Sequence, residues 1–61
     1  MDPNANLQEQ RRIAARLIDA MPTDKSGYVA MAHDANRLAE LAQALDEWIV
    51  KGGFLPTDWS K

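Results

Sequence analysis

A chain of 61 residues folds as one small domain with a marginal core, because at this size only about 60% of the unfolded surface is buried on folding. It has no cysteine and a single histidine, His33, which excludes disulfides and a Cys/His zinc site as extra support and leaves self-association. A hydrophobic fraction of 46%, a net charge of −2 and the lack of a long Lys/Arg run argue for an ordered globular protein and against nucleic acid as a partner.

The opening MDPNANLQEQ is polar, with no apolar leader core, and no later segment approaches the roughly 20 apolar residues of a membrane span. The expected setting is therefore the cytoplasm, without a membrane. The first periodic segment, NLQEQRRIAARLIDAM, predicts a helix over about residues 5–21. Leu7, Ile13, Ala14, Leu17, Ile18 and Met21 recur at helical spacing and share one side. Asn6 followed by Glu9 resembles a capping box, and Asp2 before Pro3 offers an alternative start. On the outer side, Glu9 with Arg12 and Arg16 with Asp19 are spaced to pair.

Pro22 stops that helix, and residues 22–26 read as a turn in which Thr23, Asp24 and Ser26 each suit a helix cap. The second helix is expected over about residues 27–51. Met31, Ala35, Leu38, Ala42, Leu45 and Ile49 alternate four and three apart, and Leu41, Trp48, Ala32 and Ala39 widen the stripe into a face suited to a bundle. Asp34 within His33–Asn36 is a site for a break, since His, Asp and Asn are poor helix formers. Glu47 stands four residues before Lys51, the favourable order for a surface pair, and Gly52 and Gly53 then end the helix.

The two helices differ in length, with about fifteen residues spanning roughly 22 Å against about twenty-five spanning roughly 37 Å. In an antiparallel hairpin the first helix would cover the second as far as Gln43 and leave Leu45, Trp48 and Ile49 bare. The tail, residues 52–61, is long enough to fold back to Leu7, so Phe54, Leu55 and Trp59 are expected to close that open end of the core. Two helices still offer only two stripes. The fold class expected is all-α: an antiparallel helical hairpin with a folded-back aromatic tail, paired as a homodimeric four-helix bundle. Ala32, Ala35, Ala39 and Ala42, with Phe54 and Trp59, are the interface candidates.

Three strings carry a resemblance: MDPNANLxEQ at Met1–Gln10, LAELxxALDEW at Leu38–Trp48 and GGFLPxxW at Gly52–Trp59. Together they resemble a group of very short uncharacterised proteins encoded by bacteriophages and some bacteria, with Pro22–Asp34 as the variable part. The resemblance carries over no activity and no site residue. It implies a small protein that acts by binding a host protein or a small signal molecule.

The chemistry-bearing residues point the same way. His33 beside Asp34, and Asp46 beside Glu47, diverge by about 100° on a helix and cannot converge on one substrate. Neither pair makes a catalytic or metal site, and no enzyme activity or cofactor is expected. Arg11, Arg12 and Arg16 form the one basic cluster, with Lys25 and Arg37 near once the hairpin forms. Doubled in a dimer they would make an anion site, with Tyr28 or Trp59 stacking on a base. Balanced by Glu9 and Asp19, they read first as a solvated helix face, since charge runs on amphipathic helices are common. The functional expectation is a non-enzymatic accessory protein that binds itself and a host factor. The alternative is an oligomer that sequesters an anionic small molecule such as a nucleotide.

Overall fold

In the computed structural model, which describes residues 1–60, the first helix begins at Pro3 because Asp2 caps it. The Asp2 carboxylate accepts hydrogen bonds from the backbone N–H groups of Asn4 (2.9 Å) and Ala5 (3.3 Å), and Pro3 takes the first helical position, where no N–H is needed. Helix α1 runs Pro3–Asp19. Asn6 is therefore not a cap. It is buried in the interface, donating from Nδ2 to the Leu41 carbonyl (3.0 Å) and accepting from Gln10 Nε2 (2.6 Å). The helix also ends two residues before the expected Met21, with Ala20 already extended, because a chain approaching Pro22 is driven out of the helical region.

Helix α2 spans Lys25–Val50 and is capped by Asp24, whose carboxylate accepts from the Gly27 N–H at 2.8 Å. The turn thus falls at residues 20–24 rather than 22–26. Helix α2 does not break at His33–Asn36, because tertiary contacts outweigh the weak propensity there. Asp34 accepts two bonds from the Arg16 guanidinium of α1, at 2.9 and 3.1 Å, and within α2 itself Asn36 Nδ2 adds a bond to Glu40 Oε1 at 3.1 Å. A short 3-10 turn, Thr57–Trp59, completes the chain, and the described residues contain no strand. Residue 61 of the expected tail lies outside the described residues.

Antiparallel packing of α1 on α2 makes the hairpin. Its core is narrow: Leu7 and Ile13 of α1 against Leu41 and Leu45 of α2, with Pro3 and Pro56 enclosed at the open end. Leu45 is therefore not bare, since α1 starts early enough for its first turn to reach that level; Trp48 and Ile49 are half-buried. One long edge of the hairpin is ionic. Arg16 grips Asp34, and Arg37 grips Glu9 at 2.9 and 3.2 Å while lying 3.6 Å from Glu40. These cross-helix pairs replace the expected Glu9–Arg12 and Arg16–Asp19 pairings, because two facing helices let each guanidinium meet a carboxylate in bidentate geometry. Both arginines are held more firmly protonated and both carboxyls are pulled below their ordinary range, chiefly by these hydrogen bonds. All four groups remain in contact with water, so the pairs add little stability and mainly select register.

The molecule is a slab of 42 × 20 × 12 Å with a radius of gyration of 13.5 Å. A compact domain of this length would have a radius near 10.5 Å.

Candidate functional site: the open end of the hairpin

The end of α2 is built by a Schellman motif. Gly52 adopts φ +92°, its N–H donates to the Ile49 carbonyl (3.0 Å), and the Gly53 N–H donates to the Trp48 carbonyl (2.8 Å). That reversal lays the chain across the Trp48 indole. A Cβ at Gly53 would lie 2.3–2.5 Å from Cε2, Nε1 and Cδ2 of the ring, so only glycine fits. The indole Nε1–H donates to the Phe54 carbonyl at 2.9 Å, and the two rings meet edge to face with centroids 5.5 Å apart.

Beyond this point the tail turns back onto α1. Pro56 is buried, the Thr57 N–H donates to Asn4 Oδ1 at 2.7 Å, and Arg11 Nη1 meets Asp58 Oδ2 at 2.6 Å. The Trp59 N–H then closes the 3-10 turn on the Pro56 carbonyl at 2.9 Å. The tail does fold back, as its length allowed, but its aromatics do not close the core. Phe54, Leu55 and Trp59 are 63%, 43% and 48% exposed. Proline and a polar clasp seal the end instead, because the chain crosses α1 with its backbone and polar side chains inward and its large apolar groups outward.

A second apolar region lies at the opposite end. There a notch of about 500 Å³ opens between the helices below the Arg16–Asp34 pair, lined by Leu17, Met21, Pro22, Gly27, Ala30 and Met31. Met21 in its lining is exposed, as are Ile18, Tyr28 and Val29 elsewhere on the two helices.

The arginines do not converge. Arg11 is committed to Asp58 and Arg16 to Asp34, while Arg12 is exposed on the surface of α1. Of the two neighbours expected to join them, Arg37 is held by Glu9 and Glu40, and Lys25 is exposed at the start of α2. Asp34 faces Arg16, so it forms no working pair with His33. Asp46 and Glu47 are both exposed. Ala32, Ala35, Ala39 and Ala42 are exposed along α2. Among the described residues no group of three or more His, Cys, Asp or Glu is placed to hold a metal ion, and no helix is long and apolar enough to cross a membrane.

The polar clasp was not anticipated from the sequence. Asn4, Asn6, Thr57 and Asp58 are small polar residues whose partners lie 35 to 53 positions away, beyond the reach of periodicity. The one signal was Asn6 itself, a polar residue set between Pro3, Leu7 and Ile13 on the inward side of α1. No family model, no curated protein and no solved structure matches the chain.

Proposed function

We propose that this chain is a non-enzymatic binding protein that acts through protein–protein contact in the cytoplasm, its hairpin doubled into a homodimeric four-helix bundle. The partner-facing element is the aromatic knob of Phe54, Leu55 and Trp59. One observation carries the reading: two long-range polar contacts, Asn4–Thr57 and Arg11–Asp58, and the Trp48–Phe54 hydrogen bond hold these three apolar side chains in a fixed, exposed arrangement. Such pre-organised aromatics bind at low entropic cost, and Trp is favoured among interface hot spots. A partner protein with an apolar groove fits this knob. The role as a phage or mobile-element accessory directed at a host factor rests on the resemblance of the chain's two ends to short phage-encoded proteins.

Sequestration of an anionic small molecule draws less support, since Arg11 and Arg16 already meet carboxylates. The test is capture from bacterial lysate on immobilised protein, comparing the native chain with a Phe54→Ser, Trp59→Ser variant that melts at a similar temperature. A band that disappears with the variant is expected. Capture indifferent to the variant overturns the reading, as does native mass spectrometry that finds a small anion retained by the purified protein and lost with Arg12→Ala.

A further inference from the structure

The hairpin has two unlike long faces. At 100° per residue, Glu9 and Arg16 lie on one side of α1 and Arg37, the partner of Glu9, falls on the corresponding side of α2, while Asp34, the partner of Arg16, lies on the inward line of α2 between Leu41 and Leu45. The other side of α1 carries Leu7, Ala14 and Ile18, with Arg11 at its margin already tied to Asp58. The matching arc of α2 runs from Tyr28 through Ala32, Ala35, Ala39 and Ala42 to Ile49, and Asp46 is its single charged side chain. Its central positions are exposed, while Met31, Leu38 and Ile49 on its inner border are half-buried. The apolar stripe of α2 is thus wider than α1 covers.

The chain exposes 4565 Å². A compact monomer of its 6.8 kDa mass would expose about 4,000 Å², leaving an excess of about 600 Å². That excess belongs to the whole chain, the exposed tail included; a stable interface takes roughly 800 Å² from each partner, so the surplus is of the size that pairing would bury.

We propose that the face opposite the ion pairs, made of Tyr28, Ala32, Ala35, Ala39 and Ala42 of α2 with Ile18 of α1, is the surface on which a second copy of this chain packs. The proposal rests on the homodimeric reading given above and assigns its surface. A two-fold axis sets each alanine arc against the other, and the small side chains let the backbones approach at the short end of the usual 8–10 Å interaxial range. The ionic edges then face outward in water, and the four helices enclose Leu38, Met31 and Ile49 in a shared core.

Sedimentation of the native chain at micromolar concentration should give twice the chain mass. Ala39→Arg, which places a charge on the arc, should raise the dissociation constant at least about tenfold. Ala44→Arg, exposed on the other side of α2, should leave it unchanged. Because Ala39→Arg can also unfold a chain that depends on pairing, Ala39→Cys and Ala44→Cys provide a second readout. Under mild oxidation of the folded protein, only the former should give rapid disulfide-linked dimers in high yield. A native dimer broken by Ala44→Arg but not by Ala39→Arg, or linked only through Cys at 44, overturns the surface while sparing the dimer. A folded native chain that sediments as a monomer overturns both.

Discussion

Replacing Gly53 with alanine adds one methyl group where no space exists. Its Cβ would stand 2.3–2.5 Å from the Trp48 indole, against which the chain lies flat, so either the ring rotates or the tail lifts. Overpacking of this kind costs about 1–3 kcal/mol. Either movement also breaks the Nε1–H bond to the Phe54 carbonyl, worth about 1 kcal/mol net. The combined loss, about 2–4 kcal/mol, compares with the ~3–5 kcal/mol that a core of this size supplies. At roughly 4–8 °C per kcal/mol, the melting temperature should fall by at least about 8 °C. Thermal melts followed by far-UV circular dichroism, with tryptophan emission as a local probe, measure both the drop and the displacement of the ring. Gly52→Ala is the control: it meets open space but holds φ +92°, so it costs only the left-handed penalty of about 1–2 kcal/mol. A Gly53→Ala protein that melts within a few degrees of the native chain, with unchanged emission, would refute the packing argument.

Two further substitutions and one condition follow from the same contacts. Asn6→Ala removes the buried amide that joins Gln10 and the Leu41 carbonyl, and should lower stability by about 1–2 kcal/mol in urea denaturation; an unchanged midpoint would contradict its placement. Glu9 and Asp34 have lowered pKa values because Arg37 and Arg16 bond them, so the stability they contribute is complete above the unfolded carboxylate range, near pH 4. It is lost as pH falls through their depressed folded values. Because the pairs are solvated, melting temperature should decline by only a few degrees from this source below about pH 4, and a Glu9→Gln, Asp34→Asn protein should decline less; equal acid sensitivity of the two proteins would count against the pairing.

What could be read from the sequence was whatever repeats. The heptad spacing in α2, the proline and glycine boundaries and a cap among Thr23, Asp24 and Ser26 all declare themselves within a few residues, and the antiparallel hairpin follows from a short turn. Contacts across the hairpin do not declare themselves. Arg16 had Asp19 three residues away and Asp34 eighteen away, and the distant carboxylate prevailed because only there does the guanidinium lie flat against both oxygens. The tail shows the same limit. Its hydrophobicity suggested burial, but burial depends on which side of the strand-like crossing faces α1, and that side was fixed by Pro56, Thr57 and Asp58. As candidate sites, the arginines were visible by type and displaced by their partners, whereas Phe54 and Trp59, expected to close the core, stand exposed.

The single-chain core of Leu7, Ile13, Leu41 and Leu45 is small for the area the chain exposes, and in the proposed dimer a second copy completes it. The most direct measurement is the melting temperature of the native chain as a function of protein concentration. Folding coupled to pairing predicts a melting temperature that climbs steadily with concentration by mass action. A cooperative melt at one fixed temperature from dilute to concentrated solution would contradict it.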